Sequence, residues 1–282
     1  MTGPSLVDEA RRRLAAAGVE NAAQEARWLA EAAGGRAPRA PVAGQGAPVP
    51  PEAAARLAEL VERRLAGEPL QYVLGRWAFR HLDLLVDARV LIPRPETEVL
   101  AALALEECDR LDARVAVDLG TGSGALALCL ATERPGLVVW ATDVSADALA
   151  VAEANRATTG AAAVRLVQGS WYAALPGEVA GTVQVIVANP PYVSEAEMAD
   201  LDPEVRDWEP AGALCAGPDG LEDVAAVIRG ASAWLARPGA LLVEMAPHQT
   251  VRAARLAADA GLAGVTIHPD LAGRERVVVA RW

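Results

Sequence analysis

The stretch "VQVIVANPPYVSE" takes an apolar run, Val183 to Ala188, straight into Asn189, Pro190, Pro191 and Tyr192. Prolines end strands because they lack a backbone donor, yet this quartet also has a chemistry of its own. An amide nitrogen is a poor nucleophile, since its lone pair is delocalised into the neighbouring carbonyl. A site that alkylates such a nitrogen must fix its orientation and engage its two N–H bonds. The Asn189 side-chain oxygen and the Pro190 backbone carbonyl can accept one each. The proline ring stiffens the second acceptor, and Tyr192 can pack on a planar group or face a nearby cation.

Three further features point to a nucleoside. "VDLGTGSGALAL" carries a strand into Gly120, Thr121, Gly122, Ser123 and Gly124 and then opens a helix. Glycines there let the backbone turn tightly and approach a ligand. The spacing is Gly-x-Gly-x-Gly rather than the Gly-x-Gly-x-x-Gly of dinucleotide enzymes. Asp143 closes the next strand, "LVVWATD", where an acidic side chain can accept from both ribose hydroxyls. The competing role for Asp143 is to cap the helix that follows, which Ser145 can also do. Trp171, after the third strand, can flank an adenine ring or pack into the core.

These residues need a scaffold, and the hydrophobic pattern supplies one. From about Arg114 onward, strand-like and helix-like runs alternate: "RVAVDLG", "GALALCLATE", "LVVWATD", "SADALAVAEANRAT", "VRLVQGSW", "VQVIVANPP", "GLEDVAAVIRGASAWL", "GALLVEMA", "QTVRAARLAADAG", "GVTIHP" and "RERVVVARW". That alternation predicts an α/β fold with a mostly parallel sheet covered on both faces, and its ligand cleft lies at the carboxyl ends of the strands. The N-terminal part differs. Ser5 to Ala33 reads as two helices, with Gly18 as a stop, Asn21 as a cap and Gly34-Gly35 as the end. "RAPRAPVAGQGAPVPP" reads as a connector, and a further helix runs from about Pro51 to Ala66. Alternating segments around Gly75 and Asp87 predict a hairpin, and "PRPETEVLAALALEEC" starts a helix near Thr97.

Bulk properties narrow the partners. The formal net charge is −11 over 282 residues, which disfavours a duplex-gripping surface and favours a protein or small-molecule substrate. Cys108, Cys129 and Cys215 form no CxxC pair and share no ligand spacing with His81, His248 and His268, so no metal is expected. No apolar run reaches the 18 or so residues that span a bilayer, and no signal-peptide centre is visible, so a cytoplasmic protein without a membrane partner is expected.

The Asn-Pro-Pro-Tyr quartet and the Asp-x-Gly-x-Gly-x-Gly loop together resemble the amino methyltransferases that use S-adenosylmethionine. "GEPLQYVLGRWAF", "VLIPRPETEVL", "EVRDWEP" and "DLAGRERVVVARW" are similar to segments of the HemK/PrmC family, the N5-glutamine methyltransferases of peptide-chain release factors. The resemblance covers nearly the whole chain and is weakest over about residues 34–51. It implies a class I S-adenosylmethionine methyltransferase, Rossmann-like with a mostly parallel seven-stranded sheet, and a small N-terminal helical domain joined by a β-hairpin linker. The implied boundaries are 1–72 for the helical, release-factor-recognising domain, 73–95 for the linker and 96–282 for the methyltransferase domain.

The same resemblance implies S-adenosyl-L-methionine as cofactor and S-adenosyl-L-homocysteine as product. It assigns the cofactor to Gly120, Thr121, Gly122, Ser123, Gly124, Asp143, Trp171 and Asn189. The catalytic set is Asn189, Pro190 and Tyr192, and Pro191, Arg94 and Pro95 join them around the substrate. Ser170 stands where many relatives have Asp. The implied substrate is the glutamine of the Gly-Gly-Gln motif of class I release factors, with no direct nucleic-acid contact. The alternative with the same chemistry is a DNA adenine-N6 methyltransferase acting on a flipped base.

Overall fold

The computed structural model describes residues 3–35 and 50–282, so most of the Pro/Gly-rich connector lies outside the described residues. The described chain divides into two units. One comprises Met1–Arg76 together with Asp202–Trp208, and the other Trp77–Leu201 with Glu209–Trp282.

In the first unit, helices α1 (Gly3–Ala16), α2 (Ala22–Ala33), α3 (Pro51–Leu65) and α4 (Leu70–Leu74) surround Leu14, Ala26, Leu29, Leu57, Val61 and Val73. The helices start and stop where local chemistry dictates. Pro51 occupies the first turn of α3, where its missing N–H costs nothing. Asn21 sits at the N-cap of α2, but its side chain makes no capping bond. Arg64 is buried in this unit between two carboxylates, Glu25 at 2.8 Å and Glu204 at 2.7 Å. Glu204 belongs to a short helix, Pro203–Trp208, that the repeating strand–helix pattern gives no sign of.

The second unit begins with a hairpin, β1 (Arg76–Phe79) and β2 (Leu82–Leu85), and helix α5 (Pro95–Leu111). Then come β3 (Val115–Leu119), α6 (Ala125–Glu133), β4 (Val138–Asp143), α7 (Ala146–Thr159), β5 (Val164–Gln168) and β6 (Val183–Ala188). After β6 the chain passes through α8 (Pro203–Trp208), which belongs to the first unit, and returns as α9 (Glu222–Trp234), β7 (Leu235–Glu244), α10 (Thr250–Asp259), β8 (Ala263–Pro269) and β9 (Glu275–Arg281). The seven-stranded sheet has the order β5-β4-β3-β6-β7-β9-β8. β3 through β7 pair in parallel, and β9 is antiparallel to both its neighbours.

Both faces of this sheet are covered, which is why its strands read as continuous apolar runs. Alternate residues of each strand enter different cores. Val185 and Val187 of β6 join Ala116, Val139, Leu100 and Leu130 on one face. Ile186 and Ala188 join Val117, Leu119, Val227 and Ala253 on the other. The chain winds outward from β3 to β5 and then crosses to β6 on the far side of β3. The β3/β6 boundary is therefore the switch point at which a crevice opens beyond the strand ends.

Ile186 is fully buried three residues before Asn189. Ile186→Ala should lower unfolding stability by about 2–5 kcal/mol through lost contact and a residual cavity. Urea denaturation would show this as a lower midpoint at unchanged slope.

Candidate active site

Register brings the site together. Leu119 of β3 stands opposite both Thr142 of β4 and Ala188 of β6. The next residues along these three strands are Gly120, Asp143 and Asn189, so side chains far apart in sequence emerge at one level. They line a cavity of about 420 Å³ with Gly122, Gly169, Ser170, Trp171, Pro191 and Asp223. Arg89, Val90 and Leu91 close one side of it, and Pro210, Gly212 and Ala213 another.

The glycine loop is held from beneath. The backbone N–H groups of Gly120 and Thr121 both donate to the Thr142 carbonyl at 2.9 Å. Thr121 is itself buried, and its hydroxyl donates to Asp118 Oδ2 at 2.6 Å; the Ala127 N–H donates to the same oxygen at 3.1 Å. Ser123 is also buried, and its carbonyl accepts from Asn155 Nδ2. Asn155, a buried residue of α7, exchanges two more bonds with the backbone of Leu85 and so ties the hairpin to the loop. Gly120 is needed for its bare Cα, because a Cβ there would stand 3.2 Å from the Trp171 ring at a backbone φ of 74°.

Asp143 does not cap α7. Ser145 does, accepting the Ala148 N–H at 3.1 Å. Asp143 instead accepts the Gly122 N–H on one oxygen and the Ser145 N–H on the other, both at 2.9 Å. Each carboxylate oxygen keeps lone-pair capacity toward the cavity. Trp171 lines the cavity and also packs against the core on that side of the sheet. Asp223 lines the same cavity, and burial holds its carboxyl above the ordinary value, with neighbouring Trp171 drawing it partly down.

Asn189 is fixed through its nitrogen. Nδ2 donates to the hydroxyl of Thr97, 92 residues earlier, at 3.1 Å. The quartet's backbone is anchored by buried Gln249, whose Nε2 donates to the carbonyls of Tyr192 and Gly220 at 2.9 Å each. Gly220 lies so close that a Cβ would come within 2.7 Å of the Tyr192 carbonyl. Burial pushes the Tyr192 phenol up to about 12, with the nearby Glu244 charge adding to it, so Tyr192 is neutral at physiological pH.

Of the residues expected at the site, Gly120, Gly122, Asp143, Trp171, Asn189 and Pro191 line the cavity. Thr121 and Ser123 instead support the loop, and Pro190, buried, and Tyr192, half-buried, flank Pro191 without lining the cavity themselves. Arg94 and Pro95 do not line it either. Arg94 is paired with the buried Glu209, which also accepts the Ile92 N–H at 3.2 Å, and Pro95 is exposed. Burial holds Glu209 above its ordinary value against the pull of Arg94. This clamp fixes the loop that carries Val90 and Leu91 to the segment that carries Pro210.

The resemblance puts the loop from Pro93 to Thr97 at the cleft, and Thr97 does meet Asn189 there, whereas nothing in the sequence reading gives Glu209, Asp223 or Glu244 a place in the site. Glu244 did carry a signal. It is an acidic residue at the end of the apolar strand "LLVE", as Asp143 is at the end of its own strand. Among the described residues no group of three or more His, Cys, Asp or Glu could hold a metal ion, and no helix is long and apolar enough to cross a membrane.

Comparisons with known proteins bear on the family and the fold. A family model described as the PrmC N-terminal domain matches residues 5–75, and one described as the methyltransferase small domain matches residues 97–202. The release factor glutamine methyltransferase of Cereibacter sphaeroides is 43% identical over 270 residues, covering 95% of this chain and 94% of that one. The protein of the same name from Deinococcus radiodurans is 43% identical over 278 residues, covering 98% and 97%. Among solved structures, a methyltransferase from Pyrococcus furiosus superposes with a TM-score of 0.53 at 17% identity, covering 79% of this chain and 98% of that one. The N-terminal domain of human METTL16 in complex with SAH superposes with a TM-score of 0.54 at 16% identity, covering 78% and 82%. The fold is that of the S-adenosylmethionine-dependent methyltransferases.

Asp118 generates a prediction. It is fully buried under the glycine loop, and burial pushes its carboxyl up to about 7, against the Thr121 and Ala127 bonds. Between about pH 4 and 7 the folded chain keeps a proton that the unfolded chain releases. Its stabilisation is therefore complete below the unfolded value and is lost as pH rises through about 7. The melting temperature should fall from pH 5.5 to 8, and Asp118→Asn should flatten that fall, as scanning calorimetry across the range would show.

Proposed function

Because this chain belongs to the release factor glutamine methyltransferase family, we propose that it methylates the side-chain nitrogen of the glutamine in the Gly-Gly-Gln motif of class I release factors, using S-adenosyl-L-methionine and releasing S-adenosyl-L-homocysteine. The observation that carries the reading is the meeting of Asn189 with Asp143 and the glycine loop around one cavity. A nucleoside-bearing methyl donor and a planar amide would then be held side by side.

The residues present fit the cofactor. Asp143 has a lone pair to offer from each oxygen while its backbone bonds to Gly122 and Ser145 hold it still, which suits a ribose diol. Trp171 offers a flat apolar wall, and Gly122 leaves open space where a side chain would project. When bound, the cofactor supplies an electrophilic methyl group. The protein's part is orientation. The Asn189 oxygen and the Pro190 carbonyl accept the two amide N–H bonds, and Pro191 and Tyr192 give their loop its rigidity and flat surface. Arg94 is committed to Glu209 and serves the substrate by holding the wall, and Pro95 begins α5 beside it. Orientation of this kind contributes several kcal/mol to a reaction without a strong base in the cleft. The helical domain, read as residues 1–72 and followed by the 73–95 linker and the 96–282 catalytic part, would recognise the body of the release factor in the cytoplasm.

The decisive experiment mixes the purified full chain and methyl-labelled S-adenosylmethionine with a release factor in one tube and duplex DNA in another. Label on the Gly-Gly-Gln glutamine, located by mass spectrometry, is expected. Label on DNA alone would overturn the reading in favour of adenine methylation. Asp143→Ala should weaken cofactor affinity by about tenfold or more, as the loss of charge-assisted hydrogen bonds requires. An unchanged dissociation constant in calorimetry would remove the ribose contact.

A further inference from the structure

Asp143 is one of two carboxylates that line the cavity. The other is Asp223, the second residue of α9. Acidic residues at a helix start often serve the helix itself. Here Glu222 does that work, its Oε1 accepting the Asp219 N–H at 3.1 Å and its Oε2 the Leu221 N–H at 3.0 Å. Asp223 is half-buried and lines the cavity instead.

The docking of Tyr172, the residue after Trp171, explains why Asp223 meets that wall. The Tyr172 hydroxyl donates to the Val227 carbonyl at 2.7 Å. Its ring lies so close to Gly230 that a Cβ there would come within 2.5 Å, and it stacks on Trp234 with centroids 6.0 Å apart. Val227, Gly230 and Trp234 share one face of α9, and Asp223 continues that face one turn toward the helix start. The 3₁₀ turn Trp171–Ala174 is thus seated on the face that ends in Asp223. Trp171 itself holds a left-handed backbone with φ 45°. A bulky residue keeps such a conformation only where its surroundings enforce it. The flat indole and the carboxylate are therefore placed in one cavity by the same packing.

A nucleoside offers two kinds of hydrogen-bond donor, the ribose hydroxyls and any amine on its base. Asp143 suits the first. An ionised carboxylate can only accept, whereas the hydroxyl of Ser170, also at the cavity, can give or take and so selects nothing. We propose that Asp223 reads the base of the methyl donor: its carboxylate accepts an N–H of the 6-amino group of a purine lying along Trp171, and the cavity thereby selects an amino-purine over an oxo-purine. This deepens the proposed function and rests on its assignment of a nucleoside methyl donor to this cavity. An oxo-purine sets a carbonyl oxygen against the carboxylate, so the selection works by repulsion as well as by attraction.

The test titrates the full chain with S-adenosylhomocysteine and with S-inosylhomocysteine, which carries an oxo group where the amine stood. Calorimetry should show wild type preferring the adenine form by about 10- to 100-fold, the worth of one hydrogen bond to a charged group. Asp223→Asn places a carboxamide that can donate to the oxo group or accept from the amine, so the preference should shrink to about threefold or less. Asp223→Ala should weaken the adenine form by about tenfold and lose the preference too. Asp143→Ala should weaken both forms alike and keep the preference, which separates base reading from a general loss of binding. Binding stoichiometry in each titration reports the folded fraction.

A third probe, 5′-methylthioadenosine, has the purine and the ribose but no amino-acid end. Asp223→Ala should weaken it by the same factor as S-adenosylhomocysteine. A loss confined to S-adenosylhomocysteine would give Asp223 to the ammonium group and overturn the inference. A wild-type preference that survives in both Asp223→Asn and Asp223→Ala would also overturn it. Wild type that binds neither homocysteine would refute the methyl-donor reading, and the inference with it. Wild type that shows the preference but leaves release factors unmethylated would refute the substrate assignment and keep the base reading.

Discussion

Parallel pairing of β3 with β6 is the constraint on which the site depends. Two parallel strands must end at the same edge of the sheet, and the register that sets Leu119 against Ala188 makes them end at the same level. β4 ends beside them by the same rule. The loops that follow cannot enter the sheet, so they wall a crevice above it. Everything the site needs from the fold comes from this alignment. A shift of one residue along β6 would exchange Ile186 and Val187 between the two cores and take Asn189 out of the cavity.

The second layer of organisation is polar and buried. Asp118, Asn155, Glu209, Gln249 and Thr97 are all buried, and their hydrogen bonds point at backbone or side chains of the loops around the cavity. Buried polar groups are costly unless paired, and paired ones hold their partners in one arrangement. The loops thereby gain the rigidity of the sheet without belonging to it. Clamping of the Val90–Leu91 and Pro210–Ala213 walls through Glu209 and Arg94 is one such case, and fixation of the Tyr192 carbonyl by Gln249 is another. The site is accordingly made of exposed ends on buried supports.

Chemistry follows from those supports. A neutral amide nitrogen gives a catalyst little to deprotonate, so placing it is the principal task. Asp143 is held by two backbone donors, and Asn189 by one hydroxyl. The first arrangement leaves a carboxylate ready for a diol. The second leaves a carboxamide oxygen ready for an N–H. Two acidic residues end parallel strands of the same sheet, β4 and β7, but Asp143 reaches the cavity and the buried Glu244 does not.

The sequence by itself determined the class of fold and the strand ends at which the candidate site is built. Strand and helix periods are local properties, and the runs from "RVAVDLG" to "RERVVVARW" carry them plainly, so the parallel sheet and its cleft were legible. The glycine loop, Asp143, Trp171 and Asn189-Pro190-Pro191-Tyr192 were legible because each is a short motif at a strand end. Only the tertiary structure decided how those residues divide their work. Thr121 and Ser123 turned inward to hold the loop, Arg94 went to Glu209, and Ser145 took the cap that Asp143 could have made. It also decided the partner of Asn189: Thr97 lies 92 residues before it, in the first turn of α5. The reason is physical: periodicity and motif spacing record what neighbours along the chain can do, whereas a hydrogen bond between buried groups is set by register between strands, which no local window contains.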